Sequence, residues 1–324
     1  MWKYILNRTL QSIVVLLIVS SVAFSLMHLM PGNPWTRFGM TEQQLQAAEE
    51  MKRLHGLDLP IYQQYIRWLA SLSQGYLGLS YDFVPIDSFI WDFARNSLIL
   101  LGTAWLISLM IAIPWGIHNS LKPGGVSDRL ATLLGLIGFS IPAFVLGYWL
   151  QQLFAMRLLW LPPSSMHTPS KAGDIFDLIQ HMVLPVVTLT LGMLAYYLKF
   201  IRNGMLEVLE SPYLITARAK GASERRVIYR HALKNTLIPI ITLIALDIPA
   251  LIGGSAVVEN VFHWEGLGFL MLTSALQRDL PVLIAIILIL SIFIIAANWL
   301  ADVLYTLVDP RVRLTGKKRS YNKS

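Results

Sequence analysis

The residues best suited to specific chemistry gather in one segment, residues 199–235, between two apolar runs. Lys199, Arg202, Arg218, Lys220, Arg225, Arg226, Arg230 and Lys234 outnumber the acids Glu207, Glu210 and Glu224 there. Ser211 and Pro212 suit the N-cap and first position of a short helix. That helix runs through Tyr213, Ala217 and Ala219 and stops at Gly221; after Ala222, Ser223 suits the N-cap of a second. The second helix carries Glu224, Arg225, Arg226, Arg230 and His231, with Asn235 near its end. Such a helix–Gly–helix unit does its chemistry by contact. Small side chains let a short helix sit deep in another protein's groove, while arginines pair with acids at the rim. A plain basic loop accounts for the charge but not for the Ala-Arg-Ala-Lys-Gly turn. A DNA-binding helix–turn–helix matches in outline, yet a helix anchored in lipid at both ends is badly placed to enter a major groove. No nucleic-acid partner is expected.

Catalytic signatures are missing elsewhere. The chain has no Gly-x-x-x-x-Gly-Lys-[Ser/Thr]; its one Gly-Lys, Gly316-Lys317, is followed by Lys318 in a basic tail. His-Glu-x-x-His and Gly-x-Ser-x-Gly are also absent, which disfavours a membrane hydrolase. With no cysteine, disulfides, thiolate metal sites, iron–sulfur clusters and thiol nucleophiles are excluded. His28, His55, His118, His167, His181, His231 and His263 show no ligand spacing, so no metal site is expected.

The elements that must position the segment are membrane helices. Of 324 residues, 55% are hydrophobic and 14% charged, with a mean hydropathy of +0.56. Soluble domains carry about 25% charged residues. A span takes about 20 apolar residues, and six stretches qualify: Thr9–Met30, Ser97–His118, Leu130–Met156, Met182–Ile201, Leu237–Val258 and Val282–Leu300. Pro114, Pro142, Pro185 and Pro249 fall inside them, as bundled membrane helices allow. Gly135, Gly138, Gly147, Gly253 and Gly254 suit close helix approach. The first span is too long for a signal peptide and lacks a small-residue cleavage site, so it reads as an uncleaved anchor.

Most of the 26 Lys and Arg fall on one side when the N-terminus is placed inside, so both termini are expected in the cytoplasm. The net charge of +7 follows from this asymmetry. The outer loop from Pro31 to Arg95 reads as two amphipathic helices. Thr41 and Gln44 form a capping box for the first, which ends at Gly56. Pro60 opens the second, with Ile61, Tyr65, Trp68, Leu69 and Leu72 on one face. The expected organisation is a tail and first span over 1–30, an extracytoplasmic loop over 31–95, a five-helix core over 96–310 and a basic tail over 311–324. The segment 199–235 hangs inside that core.

Several motifs in the right order resemble one family. The run Tyr213-Leu214-Ile215-Thr216-Ala217-Arg218-Ala219-Lys220-Gly221, then Arg230-His231-Ala232-Leu233-Lys234-Asn235 and Pro239, resembles the coupling loop of ATP-binding-cassette (ABC) importer permeases. The narrower likeness is to the B-type subunit of the dipeptide/oligopeptide/nickel group. Pro31-Gly32-Asn33-Pro34, Gly56-Leu57-Asp58 and Gln64-Tyr65 are similar to its outer loop. Gly253-Gly254 through Glu259, Phe262, Gly266-Leu267-Gly268 and Arg278-Asp279-Leu280-Pro281 are similar to its segment before the last span. Asp302, Tyr305 and Asp309-Pro310-Arg311 are similar to its end. Departures are Ile215-Thr216-Ala217 for Glu-Ala-Ala, Asn33 and Tyr76 for Asp, Glu265 for Pro, and Asp247 for a neutral polar residue.

The resemblance implies an all-α, six-span type I importer fold in the bacterial cytoplasmic membrane. It implies partners: a second, C-type permease, two ATPase subunits holding the ATP and magnesium, and an extracytoplasmic solute-binding protein. This chain would bind no cofactor and catalyse nothing. The implied solute is a di- or oligopeptide, with nickel or a metal–metallophore complex as the alternative. Asp247, Gly253, Gly254 and Glu259 are the expected path residues. An intramembrane carboxylate such as Asp247 is a functional candidate, and equally one neutralised or hydrogen-bonded by a neighbouring helix.

Overall fold

A computed structural model describes residues 2–29, 41–43, 46, 50, 58–171, 173–233, 236 and 255–308. Helices carry almost all of the described chain; an isolated bridge between Leu79 and Pro85 is its β-type pairing. Helix α1 is Trp2–Leu29 and α2 is Ile61–Ser73. Helix α3 is Ile90–Leu121, α4 is Val126–Ser140, and α5 is Ala143–Leu150, running on as a π-helix over Gln151–Arg157. Helix α6 is Ile175–Leu209 and α7 is Pro212–Ala219. Helix α8 begins at Glu224–Arg226 and widens to a π-helix over Val227–Ala232. Residues 255–262 form α9, followed by α10, Leu267–Gln277, and α11, Leu280–Val308.

Among the described residues, α1, α3, α6 and α11 are each long and apolar enough to cross a membrane. They correspond to four of the six predicted spans, the end of the first at Met30 lying outside the described residues, and extend past most of the predicted limits. The predicted third span departs from expectation. It is two arms, α4 and α5, bent by 103°. Pro142 cannot donate its i→i−4 bond, and it holds Ile141 in extended backbone at φ −96°, ψ 120°. Pro114 and Pro185, by contrast, sit inside continuous helices. The predicted span Leu237–Val258, with Pro249, lies outside the described residues except for 255–258.

The core is built on α3 and α6, the most extensive helix pairing in the chain. Leu100, Leu101 and Ala104 of α3 meet Leu184, Val186 and Leu189 of α6, with Phe262 and Trp264 closing that cluster. Gly116 allows the approach: a Cβ there would lie 2.8 Å from Ile201. Gly138 and Gly147 act likewise, against Ala195 and the Phe262 ring. Gly135 does not, since a Cβ there would meet nothing within 4 Å. Gly253 and Gly254 lie outside the described residues.

Ala23 of α1 packs with Ile284 and Leu288 of α11, and Trp68 and Leu72 of α2 cover them. The Tyr65 hydroxyl lies 2.9 Å from both Ser20 Oγ and Ser21 Oγ. The predicted face of α2 is thus present through Tyr65, Trp68 and Leu72. Ile61 departs from it and is exposed. Gln64 is buried instead, its amide donating to the Leu59 carbonyl at 2.7 Å. Pro60 stands one position earlier than expected, as N-cap. The predicted helix from Thr41 to Gly56 lies largely outside the described residues.

Candidate functional site

The basic segment folds as its sequence indicates. Ser211 is the N-cap of α7 in extended backbone and Pro212 takes the first turn, where a missing N–H costs nothing. At the other end the Gly221 N–H donates to the Arg218 carbonyl at 2.9 Å, and the Ala222 N–H to the Ala217 carbonyl at 3.1 Å. These two bonds form a Schellman closure with Gly221 at φ +78°, in the left-handed region that favours glycine. Ser223 then caps α8 through its extended backbone.

One side of this hairpin is anchored. Leu214, Val227 and Ala232 are fully buried with Met205 and Ile201 of α6, and Ala217 and Ala222 pack onto that cluster. The other side is open: Tyr213, Ile215, Arg218, Ala219, Lys220 and Gly221 are exposed. Tyr213 and Ile215 are large side chains left exposed on this side. The expected trio of small docking residues is therefore split. Ala219 and Gly221 face outward, while Ala217 faces the chain's own core.

Arg218 Nε donates to Glu224 Oε1 at 2.8 Å, an exposed pair across the turn. Beyond it, Ser223, Arg225, Arg226, Tyr229 and Arg230 line an open cationic groove. The backbone of His231 belongs to α8, and Asn235 lies outside the described residues. The open side of the hairpin presents a short helix with a basic rim.

The second predicted group is divided by the description. Asp247, Gly253 and Gly254 lie outside the described residues. Glu259 of α9 is fully buried, and its carboxylate is taken by four donors of its own chain. Oε1 accepts from Ser97 Oγ at 2.8 Å and Ser255 Oγ at 2.9 Å. Oε2 accepts from the backbone N–H of Gly268 at 2.8 Å and of Phe269 at 3.1 Å, so the carboxyl group sits on the N-terminus of α10. Ser97 Oγ in turn accepts from the Leu267 N–H at 2.8 Å. The closeness explains the Gly-Leu-Gly run. A Cβ on Gly266 would lie 2.4 Å from Ser97 Oγ, and one on Gly268 would lie 2.3 Å from Ala256 Cα.

Three polar constellations went unread in the sequence, two of them because their members are far apart in it. Asn96 donates to the Glu265 carbonyl and Trp264 Nε1 to the Asn96 carbonyl, both at 2.9 Å. Asp128 receives Arg202 bidentately, through Nε at 2.5 Å and Nη2 at 2.8 Å. Asp177 accepts from the Thr168 N–H and hydroxyl, with His181 Nε2 at 3.7 Å and His167 Nδ1 at 3.8 Å. Only the His181–Asp177 spacing, i and i+4 on one helix, could have signalled any of them. Among the described residues, no three His, Cys, Asp or Glu side chains are arranged to hold a metal ion.

Known proteins place this architecture. The inward-facing methionine ABC transporter MetNI aligns with a TM-score of 0.55 over 68% of this chain and 96% of that one, at 17% identity, a likeness of fold. The fold is thus that of an ABC-transporter permease. The family described as "Binding-protein-dependent transport system inner membrane component" matches residues 104–314, and its N-terminal companion matches residues 1–100. Oligopeptide transport system permease protein AppB of Bacillus subtilis is 38% identical over 96% of this chain and 99% of its own length. Glutathione transport system permease protein GsiC of Escherichia coli is 36% identical over 97% and 99%. The chain belongs to the binding-protein-dependent permease family, within its dipeptide/oligopeptide group.

Proposed function

We propose that this chain is the B-type permease subunit of a bacterial ABC importer for di- or oligopeptides. It lines the path together with a C-type permease, with both termini in the cytoplasm of a cytoplasmic-membrane complex. Two ATPase subunits hold the ATP and magnesium, so this chain binds no cofactor and hydrolyses nothing. An external binding protein delivers the solute. The observation that carries the reading is the α7 rod: buried along Leu214, exposed along Tyr213, Ile215 and Ala219, and closed by a left-handed Gly221. Seated in a groove of one ATPase, the rod moves when ATP closes the ATPase pair. The bundle turns outward because the ATP-bound state favours that arrangement by a few kcal/mol.

The relatives named for oligopeptide and glutathione support a peptide solute over nickel or a metallophore. Asp247, Gly253 and Gly254 contribute to the path, with Asp247 meeting a cationic group of the solute. Glu259 contributes by positioning, since its oxygens are already bonded within the chain. The test is reconstitution of the four-subunit complex in vesicles with a binding protein and labelled peptides. Gly221→Val should insert normally yet lose solute-stimulated ATPase activity and uptake together, and native rates in that variant would refute the docking assignment. Asp247→Asn should weaken uptake of cationic peptides and leave basal ATPase activity unchanged.

A further inference from the structure

We propose that the groove between α4 and α6, at the end where α6 leads into the docking segment, holds a phospholipid with an anionic headgroup. The groove has a volume of about 280 Å³, and its lining changes character along its length. At one end stand Asn119, Lys199, Arg202 and Asn203, with Asp128 of α4; about 12 Å along α4 from Asp128, at a rise of about 1.5 Å per residue, stands Leu136, with Gly135 beside it. Asp128, Ala131, Thr132, Gly135 and Leu136 share one face of α4, by their i, i+3, i+4 spacing. Ala195, Leu198, Lys199 and Arg202 share one face of α6 in the same way. Polar end and apolar end lie in the order of a headgroup and its acyl chain.

The polar end is built to receive an anion. Trp115 Nε1 donates to Ser127 Oγ at 2.8 Å, so the Ser127 hydroxyl donates onward to Asn119 Oδ1 at 2.7 Å. That chain directs the Asn119 amide, and Asn119 is 1% exposed. Its Nδ2 is buried with no hydrogen-bond partner among the described residues, and Asn119 lines the groove. A buried donor left unmade costs free energy that an incoming acceptor recovers. Asp128 does not oppose an anion, because its carboxylate is spent on Arg202 and the Gly124 N–H. The exposed Lys199 leaves the site one net positive charge, matching one phosphodiester. The apolar end has room for a chain: a Cβ on Gly135 meets nothing within 4 Å, and Leu136 beside it is exposed. Basic pockets between membrane helices are suited to such headgroups.

The experiment uses the full chain, purified in detergent and exchanged into mixed micelles of phosphatidylglycerol and phosphatidylcholine. Native mass spectrometry then counts retained lipid. Wild type should keep one phosphatidylglycerol in preference to phosphatidylcholine. Lys199→Gln should lower that retention about fivefold, as one cation near an anionic headgroup implies. Gly135→Leu, which keeps every charge and favours helix, should abolish retention by filling the acyl half, with a melting temperature that does not fall. Equal retention in all three chains overturns the proposal. If inorganic phosphate displaces the ligand and Gly135→Leu has no effect, the site takes a free anion and the lipid reading is overturned. If Gly135→Leu instead blocks association with the second permease while lipid retention is unchanged, the groove is a protein contact and the proposal fails.

Discussion

Arg218 and Glu224 meet at 2.8 Å across the turn that Gly221 makes possible, and both remain exposed. Arg218 is therefore already engaged before any partner arrives. A pair this exposed is worth at most about 1 kcal/mol, so its local role and its role toward a partner can be separated. Arg218→Glu should lower the stability of the purified chain slightly, and the added change Glu224→Arg should restore it. ATPase-subunit affinity, read by surface binding, should fall in the single variant and stay low in the swapped one. Full recovery of affinity in the swap would make Arg218 a hairpin clasp and nothing more.

Ala217 and Ala219 are two residues apart on α7 and face opposite ways. Ala217→Leu adds volume to a packed cluster, which costs roughly 1–3 kcal/mol, and should lower the melting temperature. Ala219→Leu should leave melting unchanged and weaken ATPase binding. The reverse pattern would mean that α7 docks by its other face.

Glu259 and Gly268 should fail in different ways. Gly268→Ala drives a Cβ toward a backbone atom of α9 that has no freedom to move, so folded chain should vanish from membranes. Glu259→Gln turns an amide NH₂ toward N–H and O–H donors, leaving buried groups unpaired at about 1–3 kcal/mol. Its melting temperature should drop measurably. Lost uptake with unaltered melting would instead assign Glu259 a direct part in transport.

Orientation has a clean test because the chain contains no cysteine. Cysteines placed singly at Gln46 and Ser223 should react with an impermeant thiol reagent from opposite sides of the membrane, Gln46 from outside. Reaction of both from one side would reverse or break the assigned topology.

The membrane class, the helix–Gly–helix unit and the stopping point at Gly221 were all determined by the sequence. Each rests on local physics: hydrophobic length, a capping residue, a backbone angle that one residue type favours. The tertiary structure decided what depends on a neighbour. It turned Ala217 inward and Ala219 outward, because Leu214 anchors one face of α7 on Ile201 and Met205. It bent the third predicted span by 103° at Pro142, with both arms packed on α6, while Pro114 and Pro185 stay inside continuous helices. It made Gly135 a gap and Gly138 a contact, though both read alike as small residues in apolar runs. It gave Glu259 four donors, three of them brought from Ser97 and α10. Periodicity and capping report what a residue prefers; which partner it meets is fixed only when distant segments close together.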